Sequence, residues 1–232
     1  MSEAQVVVVG GGLAGMTCAL ACADGGARVT LIERRGRLGG LTWSFRRQGR
    51  WYDNGQHVFL RCCTAYLGFL QRIGAAEDVV LQDRLAIPVL RPGGPTGWLR
   101  RSRHLPAPFH LGASLARYPH LPMADRLRLV RAALALARVD LEDPGLDEQT
   151  FGAWLETHGQ RRVAVEALWD LIALPTVNLP ASQASLSLAA KVFQTGLLTE
   201  AGAGDVGWSA VPLGRLHGDR GGLALAAAGV EV

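Results

Sequence analysis

The N-terminal part of the chain alternates between apolar runs and stretches of small residues. Residues 6–9 are four consecutive valines, which predict a buried β-strand. A helix-favouring stretch rich in alanine follows, and residues 28–32 form a second apolar run that ends at Glu33. This order predicts a strand, a helix and a second, parallel strand, the unit from which α/β domains are built.

The later chain carries helical patterns that proline and glycine interrupt. Residues 84–98 predict a strand, a turn and a second strand, and a loop is expected between Pro175 and Pro180. Thr150 is the expected N-cap of one helix. Apolar residues at helical spacing predict four helices, over residues 64–73, 122–138, 150–171 and 182–195. The pattern therefore predicts an α/β fold with an inserted, mainly helical region.

The turn after the first strand has the spacing of a dinucleotide-binding fingerprint. Gly10, Gly12 and Gly15 form a G-x-G-x-x-G motif between the predicted strand and the predicted helix. Gly12 lets the backbone approach a pyrophosphate, which the N-terminus of the helix attracts. Glu33 lies where a carboxylate can hold ribose hydroxyls. The sequence therefore predicts a dinucleotide site.

The residues after Glu33 distinguish between two dinucleotides. Gly39 and Gly40 give a backbone without side chains, against which a bulky cofactor can lie. The pattern resembles the FAD-binding N-terminus of the amine oxidase and phytoene desaturase superfamily, which implies FAD as the cofactor. The alternative is an NAD-binding Rossmann domain in which the two glycines only form a turn.

A second segment narrows the resemblance. Residues 51–67 read WYDNGQHVFLRCCTAYL, which resembles the D-x-GQH-x-x-x-x-CCT-x-Y-L pattern of the squalene-associated desaturases, a family that includes hydroxysqualene dehydroxylases. The resemblance implies a Rossmann-like, glutathione-reductase-like FAD-binding domain with a nested substrate domain. It assigns residues 1–83 to the first part of the FAD domain, 84–210 to a partial substrate domain, and 211–232 to the start of the return.

The resemblance also implies a set of site residues. His57 is the expected catalytic acid near the flavin, and Asp53 is the alternative. Leu41 stands where many relatives have arginine, so Arg34, Arg35 and Arg37 are candidates to replace that phosphate contact. The residues expected to bind the cofactor are Gly10, Gly12, Leu13, Ala14, Gly15, Glu33, Arg34, Gly39, Gly40, Leu41, Gly55, Gln56, His57 and Val58.

Several activities fit this resemblance. It implies reductive dehydroxylation of hydroxysqualene to squalene, on a long isoprenoid held in an apolar tunnel lined by residues such as Phe109, Trp154, Trp169 and Phe193. The alternatives are a carotenoid-type desaturase, an amine oxidase-like flavoenzyme, a non-catalytic prenyl-lipid-binding protein like the GDP dissociation inhibitors of small GTPases, and an inactive fragment. Family members are much longer than 232 residues, so the chain is interpreted as a truncated or fragmentary one, with a compact short homologue as the alternative.

Charge and cysteine content add limited constraints. Residues 91–138 contain nine arginines and one acidic residue, Asp125, which indicates either a peripheral contact with an anionic membrane surface or an exposed helix face. No nucleic-acid-reading motif accompanies this charge. The cysteines lack the spacing of a zinc site, and no metal is expected. The chain has no recognisable export sequence, so the expected location is the cytoplasm, with peripheral attachment to the inner membrane as the alternative.

Overall fold

The structure is a computed structural model, which describes residues 4–55 and 57–232. The chain divides into two compact units. The α/β unit comprises the described residues up to Phe59, together with Cys63–Leu81 and Gly207–Val232, and the helical unit comprises Leu60–Cys62 and Gln82–Val206. The long helical segment begins at Gln82, two residues before the expected start at residue 84. The chain returns to the α/β unit at Gly207, four residues before the expected return at residue 211.

The α/β unit begins with the predicted strand–helix–strand order. Strand β1 (Gln5–Val9) leads into helix α1 (Leu13–Asp24), and strand β2 (Arg28–Ile32) pairs with β1 in parallel. Near the end of the chain, Glu231 forms a parallel bridge with Thr30 of β2, so the chain returns to the edge of the same sheet.

The two faces of this sheet differ in burial. Val8, Val29 and Leu31 point into the core of the α/β unit, where Met16 and Leu20 of α1 are also buried. On the opposite face, Val7, Val9 and Ile32 have exposed side chains. One face of the sheet therefore packs against the core of the α/β unit, whereas the other is an apolar surface exposed to solvent.

The α/β unit contains further strands and helices besides this strand–helix–strand unit. Strands β3 (Ser44–Arg47) and β4 (Arg50–Asp53) form an antiparallel hairpin that the sequence pattern did not predict. Its turn places Gln48 and Gly49 at positive φ, as the tightest hairpin turns require. The other elements are strand β5 (Val58–Leu60), helix α2 (Thr64–Arg72), strand β6 (Val79–Leu81), strand β9 (Val206–Ser209), a π-helical segment (Gly214–Asp219) and helix α9 (Arg220–Ala227). In their sheet, β9 lies between β5 and β6.

The helical unit consists of a hairpin and six helices among the described residues. Its strands are β7 (Ala86–Val89) and β8 (Gly97–Arg100), which pair antiparallel around the predicted turn. Its helices are α3 (Gly112–Ala116), α4 (Met123–Leu136), α5 (Phe151–Thr157), α6 (Arg162–Ala164), α7 (Asp170–Val177) and α8 (Leu186–Phe193). π-Helical turns follow α6 and α8, at Val165–Trp169 and Gln194–Leu198.

Aromatic packing forms the centre of this unit. The ring centroids of Phe151, Trp169 and Phe193 lie 5.1 to 5.7 Å from one another, and Trp154 stacks on Phe151. All four side chains are buried. Three of the residues expected to line a substrate tunnel, Trp154, Trp169 and Phe193, thus pack into the core of the unit, whereas Phe109 is exposed.

Two predictions about helix boundaries were wrong. The helix expected over 150–171 ends at Thr157, because the chain turns at Gly159 with φ of 70°. Thr150 is its N-cap as predicted and accepts a hydrogen bond from the N–H of Ala153. The loop expected between Pro175 and Pro180 begins later, because Pro175 lies inside the last turn of α7. There the Thr176 hydroxyl donates to the carbonyl of Ile172 and stabilises a turn that lacks the proline N–H.

Candidate functional site

The glycine-rich turn between β1 and α1 depends on a very close backbone approach. A Cβ atom at Gly15 would lie 1.8 Å from the carbonyl oxygen of Gly10, so only glycine fits there. The N–H of Gly10 donates to the carbonyl of Ile32 at 2.8 Å, which fixes the turn above the end of β2. The strand, turn and helix are therefore packed as closely as the fingerprint predicts.

The second pair of glycines lies against this turn. The N–H of Gly39 donates to the carbonyl of Gly11 at 2.8 Å. A Cβ at Gly40 would lie 3.1 Å from Cα of Gly12, and Gly40 has φ of 60°, a value that favours glycine. The two segments form one backbone-lined surface without side chains. We call this surface the cradle. A Cβ atom at Gly40 would begin to fill it, as expected of a site for an extended cofactor.

The N-terminus of α1 opens onto this cradle. Its N-cap is Gly12, which has no side chain to accept hydrogen bonds from the first turn. The N–H groups of Leu13, Ala14 and Gly15 are among those that a helix leaves without an intrahelical partner. Together with the helix dipole, these donors favour an anion such as a pyrophosphate.

Glu33 lies beside the same turn as a carboxylate. Its oxygens accept hydrogen bonds from the N–H of Arg35 at 2.9 Å and of Gly11 at 2.7 Å. These backbone donors, Arg35 first, lower the pKa of Glu33 below its ordinary value. An ionised carboxylate with further lone pairs at the mouth of the turn is the group that can hold ribose hydroxyls.

The arginines near the glycine pair differ in their contacts. The guanidinium of Arg37 donates to the carbonyl of Gly40 at 2.8 Å and lies 4.5 Å from the centroid of the Trp43 ring. Arg34 is exposed. Leu41 is also exposed, and its carbonyl accepts a hydrogen bond from Asn54. Arg37 thus supports the glycine turn, while Arg34 extends into solvent.

A cleft of about 200 Å³ lies within the α/β unit, beyond the N-terminus of α1. It contains three of the residues that the sequence assigned to the cofactor, Leu13, His57 and Val58. Gly55 lies in the adjoining loop, and Gln56 lies outside the described residues. Seven further residues, which sequence reasoning did not assign to the site, complete the lining: Thr42, Phe59, Cys63, Tyr66, Ser209, Leu213 and His217.

His57 is an exposed side chain at the cleft. Its Nε2 atom lies 3.1 Å from the carbonyl oxygen of Asn54. Since a carbonyl only accepts, Nε2 carries the proton in this contact, and Nδ1 is the ring nitrogen left to act on a ligand.

Asp53 has a different environment. Its Oδ1 atom accepts hydrogen bonds from the Ser44 hydroxyl at 2.6 Å and from the N–H of Leu213 at 3.0 Å. The Ser44 oxygen in turn accepts from the N–H of Gly214. Asp53 thus anchors the β3–β4 hairpin to the start of the π-helical segment, and it is not among the residues that line the cleft.

Tyr66 and His217 form a hydrogen-bonded pair in the cleft wall. Tyr66 Oη lies 2.8 Å from His217 Nε2, and the His217 side chain is 1% exposed. Burial, and secondarily the nearby His57, lowers the pKa of His217 to about 4. Burial raises the pKa of Tyr66 to about 12. Both side chains are therefore neutral near pH 7. Tyr66 stood within the recognised segment 51–67, but no sequence pattern indicated His217.

The arginine-rich segment of the helical unit is divided between paired and unpaired side chains. Arg101 pairs with Asp205, Arg103 with Asp83, and Arg128 with Asp125. Helix α4 buries Asp125, Leu129, Ala132 and Leu136, and its opposite face exposes Met123, Leu127 and Val130 beside Arg131. The exposed face of α4 is therefore apolar with a basic margin.

Comparison with known proteins agrees with this geometry. Residues 13–216 match the model of the family described as flavin-containing amine oxidoreductase. The chain belongs to this family. The prediction of FAD as the cofactor is thereby confirmed, and the cradle, the open N-terminus of α1 and Glu33 provide the donors and the acceptor that FAD needs.

Two curated relatives illustrate the range within the family. The chain is 32% identical over 177 residues to zeta-carotene desaturase from Zea mays, a match that covers 72% of the chain and 31% of that enzyme. It is 25% identical over 193 residues to hydroxysqualene dehydroxylase from Zymomonas mobilis, covering 82% of the chain and 44% of that enzyme. The chain thus spans about a third to a half of the relatives' length, and the comparison supports the superfamily and not one member of it.

A solved structure shows the same fold. Cyclohexylamine oxidase from Brevibacterium oxydans superposes with a TM-score of 0.66 at 20% identity, over 100% of this chain and 51% of that one. The α/β flavoenzyme fold expected from the sequence is confirmed at this level.

Two findings concern metals and membranes. Among the residues that the structure describes, no group of three histidine, cysteine or acidic side chains converges in a way that could hold a metal ion. None of the helices in residues 4–55 and 57–232 is both long and apolar enough to cross a bilayer.

Proposed function

We propose that the chain is the cofactor-binding part of an FAD-dependent oxidoreductase that acts on a long isoprenoid. The reaction proposed is the reductive dehydroxylation of hydroxysqualene to squalene, in squalene and hopanoid biosynthesis. The observation that carries the proposal is the cleft beyond α1, which is lined by Leu13 of the phosphate-binding turn and by His57 and Val58. The last two belong to segment 51–67, which resembles the squalene-associated desaturases. The relative from Zymomonas mobilis supports the same choice.

The residues of the α/β unit would divide the work of holding FAD. The N-terminal N–H groups of α1 would bind the pyrophosphate, and Glu33 would accept from ribose hydroxyls. Gly39 and Gly40 would let the cofactor lie close to the backbone. When bound and reduced, FAD supplies hydride to an allylic carbon.

His57 would act on the departing hydroxyl. With Nε2–H held by the Asn54 carbonyl, a protonated His57 can donate a proton from Nδ1, so that the hydroxyl leaves as water. Histidine suits this role because its protonated ring donates from both nitrogens. Asp53, the alternative acid, is less suited because its Oδ1 atom already serves Ser44 and Leu213.

A flavin redox assay tests the proposal. The FAD-loaded protein is reduced without oxygen and mixed with hydroxysqualene, while flavin absorbance and squalene are measured. We expect the oxidised flavin spectrum to return as squalene forms, and we expect His57→Gln to slow both when the two proteins are compared at equal content of bound FAD. Recovery of unchanged hydroxysqualene beside flavin that stays reduced would contradict the proposal.

The second candidate is desaturation of a carotenoid precursor, which the relative from Zea mays favours. This reaction runs in the opposite redox direction. A carotenoid substrate should therefore bleach oxidised flavin, whereas hydroxysqualene should reoxidise reduced flavin. A protein that binds prenyl lipids without FAD is disfavoured because the glycine turn and Glu33 are intact.

We further propose that helix α4 contacts an anionic membrane surface. Met123 and Leu127 are 62% and 63% exposed, and exposed Arg131 lies beside them. An apolar stripe with a basic margin is the pattern of helices that lie in the headgroup region. Co-sedimentation with phosphatidylglycerol vesicles should weaken in Leu127→Ser and with added salt. Leu188→Ser, at a leucine of α8 that is 55% exposed, is the matched control. Equal binding to uncharged phosphatidylcholine vesicles would contradict an electrostatic contribution.

A further inference from the structure

Helix α1 carries two cysteines that lie one turn apart. Cys18 and Cys22 stand at positions i and i+4 of this helix, so they lie on the same face with Cβ atoms about 5–6 Å apart. The Cys18 side chain is exposed and that of Cys22 is half-buried. Neither residue lines the cleft or belongs to the cradle. The pair is therefore a thiol site that solutes can reach and that the proposed flavin chemistry does not use.

The two thiols also interact with each other. The pKa of the Cys22 thiol is raised, first by burial and then by a hydrogen bond with Cys18. Such a bond brings the two sulfur atoms within reach of one bridging atom. Cys22 keeps its proton near pH 7, so its thiol is a poor nucleophile until a ligand displaces that proton.

The geometry of α1 favours a bridging atom over a disulfide. A disulfide needs Cβ atoms about 3.5–4.5 Å apart, which is closer than positions i and i+4 of a regular helix allow. The helix would have to distort before such a bond could close. A metal–thiolate bond is about 2.3 Å long, so one ion between two sulfurs spans up to about 4.6 Å. The pair can thus hold a bridging ion without a change in the backbone.

We propose that Cys18 and Cys22 form a two-thiolate binding site for a soft monovalent cation, Cu(I). Thiolate sulfur selects soft ions such as Cu(I), which two sulfurs can satisfy. Zinc prefers four ligands, and among the residues that the structure describes no group of three histidine, cysteine or acidic side chains could provide such a site. On binding, Cu(I) forms two Cu–S bonds and the two thiol protons pass to solvent. The ion stays Cu(I), so no oxidant or reductant takes part.

A competition titration with Cu(I) alone tests the site. The wild-type chain is titrated without oxygen against a chromophoric Cu(I) chelator, and the bound metal is examined by X-ray absorption. We expect one Cu(I) per chain with two sulfur neighbours. Cys18→Ser and Cys22→Ser should each lower the Cu(I) affinity by at least about 100-fold, because losing a ligand costs more than losing an outer-shell partner.

Two controls separate the pair from the mere number of thiols. Cys18→Ser combined with Thr17→Cys keeps four cysteines but sets the two thiols of α1 five residues apart, on different faces of the helix. This variant should bind Cu(I) as weakly as Cys18→Ser. Cys62→Ser combined with Cys63→Ser leaves the pair on α1 intact and should bind Cu(I) as the wild type does. Circular dichroism checks that each variant is folded.

Several results would overturn the inference. They are a wild-type chain that binds no Cu(I), an affinity that survives Cys18→Ser or the Thr17→Cys combination, and an affinity that disappears with Cys62 and Cys63. Tighter binding of Zn²⁺ than of Cu(I) would overturn the choice of ion. Mild oxidation of the metal-free chain should leave both thiols of α1 open to alkylation, and a disulfide between them would contradict the helix geometry on which the site depends. None of these results bears on FAD binding, so the proposed function is tested separately.

Discussion

The two units of the chain are stabilised in different ways. In the α/β unit, the candidate site is built from backbone: glycines bring a turn, a helix end and a second loop into contact, and few side chains take part. In the helical unit, the core is built from large aromatic side chains and buried ion pairs. Backbone contact needs a particular residue type at each position, whereas side-chain packing tolerates many combinations. The first unit is therefore much easier to recognise from a sequence.

Removing the buried charge of Asp205 in the helical unit should have the largest effect. Asp205 is fully buried and accepts hydrogen bonds from Arg101, Arg61 and the N–H of Leu85. Burial alone would raise the pKa of Asp205, but these donors together hold it below its ordinary value. Asp205→Asn leaves two arginines without their carboxylate, so the free energy of unfolding should fall by about 3–5 kcal/mol.

Chemical denaturation followed by circular dichroism measures this change. Asp83→Asn is the control, because Asp83 is 90% exposed and its ion pair with Arg103 spans 3.5 Å. Exposed pairs contribute little to stability. Equal stability losses in the two variants would show that burial does not determine how much the ion pairs of Asp205 contribute to the free energy of unfolding.

The α/β unit should have its own, pH-dependent weakness at His217. The pKa of the His217 side chain is about 4 in the folded chain, against an ordinary value of 6.5. Between these values the unfolded chain binds a proton and the folded chain does not. The contribution of neutral His217 to the free energy of unfolding is therefore fully present above pH 6.5 and is lost as the pH drops towards 4. The total loss is about 3 kcal/mol. The difference in unfolding free energy between wild type and His217→Gln, measured from pH 7 to pH 4, isolates this contribution. A constant difference over that range would refute it.

The difference between the units also explains what the sequence could predict. Strands β1 and β2, the turn at Gly15 and the N-terminus of α1 follow from local pattern, because the glycine spacing encodes the contacts directly. His217 could not be found, because its role depends on burial and on Tyr66, which lies far away in the chain and is brought near by the fold. Asp205 was hidden for the same reason.

Local preference was also overridden within single elements. Pro175 predicts the end of a helix, yet α7 continues through it with the help of the Thr176 hydroxyl. The hairpin of β3 and β4 has mostly exposed residues, so it lacks the alternation of apolar and polar positions that marks a half-buried strand. In both places the structure depends on hydrogen bonds that residue patterns do not show.

A methyl group at Gly15 should separate backbone recognition from ordinary packing. In Gly15→Ala the new Cβ meets the Gly10 carbonyl, so the turn must open at a cost of about 1–3 kcal/mol. Affinities for both FAD and ADP should fall, because the pyrophosphate site is distorted. Gly36→Ala is the control, since no atom lies within 4 Å of a Cβ there and its φ is not positive. If Gly15→Ala bound ADP as well as Gly36→Ala does, the turn would not be the phosphate site.

The smallest effect is expected for a substitution on the exposed face of the β1–β2 sheet. It is informative because the adjacent residue of β1 lies on the buried face, where the same substitution should be costly. Val8 is 8% exposed and Val9 is 81% exposed, although they are adjacent in β1. Val8→Thr buries a hydroxyl among apolar side chains and should cost about 1–3 kcal/mol. Val9→Thr keeps the branched shape that strands favour and places its hydroxyl in water, so its effect should stay within about 0.5 kcal/mol. Unfolding of the two variants under one set of conditions gives the comparison. A large loss in Val9→Thr would mean that this face is covered in solution, and the α/β unit would then depend on side-chain packing on both sides of its sheet.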